Sequence, residues 1–343
     1  MKNYLKKIFL VVLFTNLYGH SISQNYTTTQ FTEKNGFNAS TVYGINQDSK
    51  GFLWIGTDVG LIRYDGLEFK QYGLKDGLVD LDIFNISIDS QDHVFLHNFT
   101  NQINFYQNEE FSNTKEHSFL GDLKFTNFPI GKYYKAADAF VVSSFNANYF
   151  FLIKLNNRGI ESSQKIKIYP DFTLKGISVI DEVFYVFGRR NIDNDEKTYF
   201  KTYKNTSVLG EGTIDISSDY YTSNNQLVCI ANNDNLKFYI SDLSGGLTYS
   251  KEINADFKIK NLYSNKNNIW ATINEGGILK INTDGYVKRF NKNETVNFGF
   301  IDRDSNIWIG TDGNGLFYYK KNEIKNYGIK ELKTSKVITS LCL

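Results

Sequence analysis

The chain has 343 residues, a net charge of +1 and two cysteines, Cys229 and Cys342. A charge so close to zero excludes the long-range field that recruits nucleic acid or an anionic membrane surface, and two cysteines are too few for a disulfide framework. Aromatic residues make up 16% of the chain, whereas proline occurs twice and methionine once. This composition favours strands over helices, so an all-β fold is predicted.

The N-terminus is typical of a secretory signal. A lysine-containing start precedes an apolar run from Ile8 to Leu17, and the small residues Ser21 and Ser23 follow. Residues 1–23 are therefore predicted to be a signal peptide cleaved after Ser23, with the mature chain periplasmic or secreted. An uncleaved membrane anchor is the alternative, but roughly ten apolar residues fall short of the about 20 that span a bilayer.

The first mature elements set a pattern of strands and turns. Residues 41–47, 52–57, 61–65 and 68–72 are predicted to be four successive strands, because apolar residues alternate or form short blocks between turn residues. Asp48 opens the first turn and Gly51 closes it, as their turn preferences require. The second strand contains WIGTD from Trp54, and the same five letters return at Trp308.

Seven positions share this frame, each in the second strand of its unit. They are Trp54, Phe95, Val141, Tyr185, Cys229, Trp270 and Trp308, spaced 38 to 46 residues apart. The period predicts a seven-bladed β-propeller of four-stranded blades over residues 25–334, with blades beginning near residues 41, 83, 130, 176, 214, 257 and 295. Between Phe95 and Cys229 the pattern is faint.

The repeated residues are interpreted as structural. They comprise Asp48, Gly51, Trp54, Gly56, Thr57, Asp89, Phe95, Trp270, Asp302, Trp308, Gly310 and Thr311. The tryptophans are expected to be wedges between blades. Asp302 also begins a calcium-like loop, but Ile307 replaces the glycine of that motif and Gly313 replaces its glutamate, so a turn is favoured.

The stretch NQDSKGFLWIGTDVGLIRYDGLEFKQY, residues 46–72, resembles the repeat of the two-component regulator propeller family, as does IDRDSNIWIGTDGNGLFYYKKNEIKNY, residues 301–327. The resemblance implies the periplasmic sensor region of a membrane histidine kinase of the Bacteroidetes type, and it leaves open a homodimer in the full-length sensor. Residues 335–343 resemble the first strand of a further repeat. We therefore expect a chain cut before its transmembrane and kinase parts, which would supply the only membrane contact.

Ring closure has two candidate strands. Tyr26 to Thr32 could add an outer strand to the last blade, but in the repeat pattern the segment Glu323 to Tyr327 already fills that place, so the closing strand stays open.

Catalytic motifs are missing from the sequence. HExxH, GxSxG, GxxxxGK[ST] and CxxC do not occur, and no kinase module is present, so the chain is predicted to be non-enzymatic and to need no cofactor or metal. His93 and His97 are four residues apart, but on a strand they are expected to be turn and surface groups rather than metal ligands.

A ligand is expected on the face where the loops between second and third strands open. Candidate binding residues there are Asp58, Asn98, Asn232, Asn233, Asn274, Asp312 and Asn314. Such side chains can hydrogen-bond sugar hydroxyls, so an oligosaccharide is one predicted ligand and a protein partner another, although each residue is also a common turn former. A secreted carbohydrate-active enzyme and a non-catalytic adhesion or structural propeller remain alternatives.

Overall fold

A computed structural model of the chain contains seven antiparallel sheets of four strands each in its described residues. Those residues are 26–113, 129–135, 137–144, 147–156, 159–168, 172–190, 197–204, 207–214, 220–224, 227–232, 234–242, 244–265, 268–282 and 286–321. The predicted all-β, seven-bladed propeller with four-stranded blades is thereby confirmed. The predicted signal peptide, residues 1–23, lies outside the described residues, as do Asn233 and residues 335–343.

Strand β1 (Tyr26–Phe31) comes first in the chain, and the blades follow it. Blade 1 has β2 (Val42–Gln47), β3 (Leu53–Thr57), β4 (Gly60–Tyr64) and β5 (Phe69–Tyr72); blade 2 has β6 (Ile83–Ile88), β7 (Val94–Asn98), β8 (Ile103–Gln107) and β9 (Glu110–Asn113); blade 3 has β10 (Pro129–Tyr134), β11 (Ala139–Ser144), β12 (Tyr149–Asn156) and β13 (Gly159–Lys167). In every blade the first strand is innermost and neighbours along the chain pair with each other.

The later blades repeat this order. Blade 4 has β14 (Phe172–Ile180), β15 (Val183–Arg190), β16 (Thr198–Lys204) and β17 (Ser207–Ile214); blade 5 has β18 (Tyr220–Asn224), β19 (Leu227–Asn232), β20 (Asn235–Ser241) and β21 (Leu247–Asn254); blade 6 has β22 (Ile259–Asn265), β23 (Asn268–Ile273), β24 (Ile278–Asn282) and β25 (Val287–Phe290); blade 7 has β26 (Val296–Ile301), β27 (Ile307–Thr311) and β28 (Leu316–Lys321). All seven landmark residues of the sequence lie on the second strand of their blade.

Asp48 and Asp302 each accept hydrogen bonds from their own turn and from a tryptophan indole. Asp48 accepts the Phe52 amide on Oδ1 at 2.9 Å and the Trp54 indole N–H on Oδ2 at 2.9 Å. Asp302 does the same with the Asn306 amide and the Trp308 indole. Because both oxygens of Asp302 receive N–H donors of its own turn, the carboxylate is used as a turn cap rather than as a calcium ligand.

The glycine of the WIGT motif allows close approach between blades. A Cβ on Gly56 would lie inside van der Waals distance of the Ile83 carbonyl oxygen in blade 2, and one on Gly310 would lie 2.5 Å from Val42 Cγ1 in blade 1. Only glycine fits where the second strand of one blade meets the first strand of the next.

The core lies between neighbouring blades rather than within them. Trp54 and Tyr72 of blade 1 share a buried cluster with Ile86 and Leu96 of blade 2. Trp308 of blade 7 packs in the same way in a cluster with residues of blade 1. Each sheet therefore buries its two faces against its neighbours, which is why a lone blade would not be stable.

Strand β1 closes the ring, a point that the sequence left open between Tyr26 to Thr32 and Glu323 to Tyr327. The strand order of the seventh sheet is β1, β28, β27, β26, so β1 occupies the outermost place. Gln30 donates its side-chain amide to the Asn314 carbonyl at 3.0 Å, and the Phe31 ring stacks at 6.0 Å from Trp308. The repeat pattern could not reveal this because β1 copies no earlier strand; the segment Glu323 to Tyr327 lies outside the described residues.

By its contacts the chain divides into a compact unit Thr29–Tyr318 and a second unit, in which residues 26–28 and 319–321 are described. In this second unit the rings of Tyr26 and Tyr319 meet edge to face at 6.4 Å. The candidate site described next lies wholly within the first unit.

Candidate functional site

Five innermost strands carry a β-bulge at the same register. The bulged residues are Tyr43, Phe84, Lys175, Lys260 and Asn297 in blades 1, 2, 4, 6 and 7. In each of these blades, the second-strand landmark residue pairs with a residue of the innermost strand, and the bulged residue lies three positions before that partner. A bulge leaves one residue unpaired and redirects its side chain. The five side chains at this register therefore point in directions that a regular ladder would not give them.

The bulges lie at the end of the blades where the ligand was predicted. Val42 pairs with Thr57, and Asp58 follows Thr57 in the turn between β3 and β4. Tyr43 follows Val42, so it lies beside the turn that contains Asp58. We call this end of the innermost strands, with the turns between second and third strands, the rim.

Two predicted residues from different blades meet at the rim. Asp58 of blade 1 accepts the Ser40 hydroxyl at 2.9 Å and the Thr41 amide at 3.2 Å. Asp312 of blade 7 accepts the Thr41 hydroxyl at 3.2 Å. The segment that enters blade 1 thus holds both carboxylates in one place.

A third carboxylate and a phenol, both missed in the sequence, complete this sector. Tyr43 donates its hydroxyl to Asp82 Oδ1 at 2.9 Å, across from blade 1 to the start of blade 2. Burial, the hydrogen bond to Asp82 and the nearby charges of Asp82, Asp58 and Asp312 raise the pKa of Tyr43 to about 12. The phenol is therefore a neutral donor at physiological pH, and its environment is negative.

The remaining predicted residues are dispersed. Asn98 is completely buried and its Oδ1 caps the turn after β7 by accepting the Thr100 amide. Asn314 donates to the Glu294 carboxylate and Asn274 is exposed on blade 6. Asn232 ends β19. Asn98 thus caps its own turn, and its role as a ligand contact stays a prediction.

Aromatic side chains adjoin the acidic sector. The bulged Phe84 lies two residues after Asp82, and its ring centroid is 5.0 Å from that of Phe99. Phe99 is 55% exposed in the turn between β7 and β8. The rim therefore carries hydrogen-bonding groups in blades 7, 1 and 2 and, in blade 2, an aromatic side chain that is more than half exposed.

The two described histidines are buried, contrary to the expectation of surface groups. The His93 Nδ1 atom lies 2.7 Å from Asp89 Oδ2. In blade 1 the indole N–H of Trp54 makes the corresponding contact with Asp48. His97 is completely buried on β7. The sequence contained a signal for the His93 contact. Phe95 stands where blade 1 has Trp54 and has no side-chain N–H, so the repeated Asp89 needs another donor.

Metal ligands and membrane-spanning helices are both missing from the described residues. They contain no group of three or more histidine, cysteine, aspartate or glutamate side chains arranged to hold a metal ion. Within the same residues, no helix has the length and apolar character needed to cross a membrane.

The family comparison bears on the first blade. Residues 36–59, which include β2 and β3, match the family model described as two component regulator propeller. The match ends before β4, so it covers the first two strands of blade 1. No curated protein matches the chain in sequence.

Solved structures share the fold at low sequence identity. The extracellular domain of a putative hybrid two component system from B. thetaiotaomicron superposes with a TM-score of 0.61 at 16% identity, covering 87% of this chain and 42% of that one. A streptogramin B lyase superposes with a TM-score of 0.62 at 13% identity, covering 87% and 98%. The extracellular domain of a putative one component system from B. thetaiotaomicron superposes with a TM-score of 0.59 at 18% identity, covering 91% of this chain and 42% of that one. The chain thus spans less than half of these two extracellular domains, and these likenesses establish the fold.

Proposed function

We propose that this chain is the extracytoplasmic ligand-sensing propeller of a two-component signalling system, and that it lacks catalytic activity of its own. The repeat in residues 36–59 carries the proposal. The similarity to extracellular domains of B. thetaiotaomicron signalling proteins supports it. We further propose that residues 1–23 direct export and are removed, and that the sensor ligand is an oligosaccharide bound at the rim.

The geometry of the rim supports ligand binding rather than catalysis. The rim offers the hydrogen-bonding pair Tyr43 and Asp82, and in blade 2 the side chain of Phe99, which is 55% exposed. Ligand sites typically consist of such apolar area with a few placed polar groups. Loops on a rigid scaffold are the usual position for them.

Binding and export can be tested on the natural protein. We expect the mature protein, isolated from its host's extracytoplasmic fraction, to begin at Gln24, and an oligosaccharide to raise its melting temperature. Retention in the cytoplasm with residue 1 intact would contradict export. Failure of every oligosaccharide and cell-surface peptide in a broad panel to bind would contradict the sensing role.

One observation favours a second candidate, a carbohydrate-active enzyme. Asp58 and Asp312 come from different blades and meet at Thr41, and a carboxylate pair is the usual equipment of a glycosidase. The streptogramin B lyase shows that an enzyme can have this fold. Release of reducing ends from a glycan, abolished by Asp312→Asn, would establish that candidate; we expect no release.

A further inference from the structure

One side chain on an innermost strand departs from the role that its register has in other blades. In each blade the landmark residue of the second strand pairs with one residue of the innermost strand, which is Asn46 in blade 1, Tyr263 in blade 6 and Lys132 in blade 3. Asn46 donates its side-chain amide to the Ile86 carbonyl of blade 2 at 3.2 Å, and the Tyr263 hydroxyl accepts the Gly299 amide of blade 7. In blades 1 and 6 this position therefore ties one innermost strand to the next.

Lys132 makes no bond of this kind. Among the described residues its ammonium has neither a hydrogen bond nor an ion pair. The Tyr134 ring is the group that its charge approaches, with 5.6 Å from Nζ to the ring centroid, close to the outer limit of about 6 Å for a cation–π contact. The Tyr134 hydroxyl already donates to the Ile177 carbonyl of blade 4 at 2.6 Å. Within the described part of the chain, the charge of Lys132 thus has no counter-charge.

Water reaches Lys132 from the central channel of the propeller. The side chain is exposed, yet Phe140 and Val141, on the next strand of the same sheet, are 1% and 3% exposed and lie in separate buried clusters with residues of blades 2 and 4. Because these clusters cover the two faces of the sheet, the exposed side of Lys132 faces the axis around which the blades are arranged. Burial nevertheless lowers the pKa of its ammonium. Contact with water and partial desolvation together are expected in a narrow channel.

The lysine lies inside the channel, away from the acidic groups of the rim. Strand β10 starts at Pro129 on the rim side, and Lys132 is three positions further along, a distance of about 10 Å at about 3.3 Å per residue. The rim carboxylates act on the Tyr43 hydroxyl, whereas burial alone lowers the pKa of Lys132, with no contribution from a neighbouring charge. The Lys132 ammonium is therefore a feature separate from the acidic sector.

The charge of this site limits the ligands that can compensate it. One ammonium neutralises one negative charge, so a sulfate dianion would bring a second charge into a place where charge is already disfavoured. A neutral hydroxyl would accept an N–H bond but leave the charge uncompensated. A carboxylate supplies one negative charge and two acceptor oxygens, and N–H bonds to it are charge-assisted.

We propose that Lys132 is the anchor of a binding site in the central channel for the carboxylate group of a ligand. Its ammonium donates N–H bonds to the carboxylate oxygens. A free organic acid and the uronate end of an oligosaccharide share this chemistry. The site is additional to oligosaccharide binding at the rim and does not depend on it.

The test measures calorimetric binding and lysine reactivity at constant ionic strength. Acetate, galacturonate and trigalacturonate are the carboxylate probes, galactose is the neutral comparison and sulfate is the dianion. We expect a carboxylate probe to bind about tenfold more tightly than galactose or sulfate, as a charge-assisted hydrogen bond would give. The same probe should slow reductive methylation of the Lys132 amine, followed by mass spectrometry. Methylation of Lys154, an exposed lysine on β12 of the same blade, should keep its rate.

Variants separate the ammonium from general effects on the fold. Lys132→Met keeps an unbranched stem and removes the charge, so carboxylate binding should fall about tenfold or more. Its melting temperature should stay the same or rise, because an uncompensated charge is removed from a partly desolvated position. Lys132→Arg retains a cation and should retain binding. Lys154→Met is the matched control and should change neither binding nor melting temperature.

The outcomes identify the source of the carboxylate or remove the site. Affinity for acetate equal to or above that for trigalacturonate would identify free organic acids as the ligands, and tighter binding of trigalacturonate would identify a uronate-bearing oligosaccharide. Sulfate binding as tight as carboxylate binding, undiminished carboxylate binding by Lys132→Met, or Lys132 methylation that no carboxylate probe slows would each overturn the site. Oligosaccharide sensing at the rim stands or falls separately from these results.

Discussion

At the scale of single residues, the paired aspartate and tryptophan explain why one short motif is repeated. The indole N–H of Trp308 reaches Asp302 at 2.9 Å, and Trp54 reaches Asp48 at the same distance. Blade 6 departs from this arrangement. Asn265 has the register position of Asp48, but its Oδ1 accepts the Ile301 amide instead. The buried Trp270 indole N–H has no partner in the described part of the chain.

This difference predicts unequal costs for the same substitution. Trp308→Phe removes a hydrogen bond to a charged group and leaves Asp302 short of a donor, whereas Trp270→Phe removes an N–H that is already unsatisfied. We expect the loss in unfolding free energy to be about 1.5 to 3 kcal/mol larger for Trp308→Phe. Urea denaturation of the two variants measures it. Equal losses would show that the Asp302 contact contributes nothing.

The motif glycines give a second prediction at this scale. Alanine at Gly56 would push a methyl group against the Ile83 carbonyl of the next blade, where only a shift of backbone makes room. We expect Gly56→Ala to destabilise the protein by about 1 to 3 kcal/mol or more. Gly73→Ala is the matched control, since its Cβ would meet only Leu81 Cδ2 at 3.7 Å. The prediction fails if both variants melt at the same temperature.

At the scale of elements, β1 is held mainly by its last residue. The four central residues of the strand are exposed and only its two ends are half-buried. Phe31 contacts an aromatic group that includes Tyr64 and Phe69 of blade 1 as well as Trp308 and Tyr318 of blade 7. One ring therefore joins the first and last blades.

Truncation of that ring should open the seam between these blades. We expect Phe31→Ala to cost about 2 to 4 kcal/mol, somewhat less than for a fully buried phenylalanine, and to speed hydrogen exchange in β27 and β28 before other blades. Thr29→Ala, on the exposed part of the same strand, controls for the change in strand composition. Uniform faster exchange over all seven blades would contradict a local seam.

The sequence predicted the elements better than the rim. Strands, turns and the wedge residues recur with a period, so Trp54 and Trp308 revealed the blades directly. Tyr43 and Asp82 recur nowhere, and a bulge adds a residue without any change in composition that a pattern could detect. Asn98 shows a second reason, because a residue type that suits a ligand site suits a turn equally well.

At the scale of the whole molecule, buried tyrosines make stability depend on alkaline pH. Burial raises the pKa of Tyr203 to about 12, and burial with the Asp82 hydrogen bond raises that of Tyr43 to about 12. The ordinary value is 10.0. A raised pKa in the folded state gives stability that is complete below pH 10 and is lost as the pH rises towards 12.

We therefore expect the melting temperature to fall steeply between pH 10 and 12. Tyrosinate absorbance at 295 nm should rise in two stages, the exposed tyrosines first and the buried ones together with the loss of circular dichroism. Tyr43→Phe should shift the second stage to higher pH. A single absorbance transition near pH 10 with the sheets intact would refute the argument.

The pairing of β1 with the seventh sheet also affects how the protein folds during its synthesis. Gln30 and its partner Asn314 are 284 residues apart, so the segment that completes the seventh sheet leaves the ribosome first and finds its neighbour last. At about 5 to 20 residues per second, the delay is on the order of 15 to 60 s. Throughout that interval β1 has no partner strand, and an unpaired strand is a template for pairing with another chain.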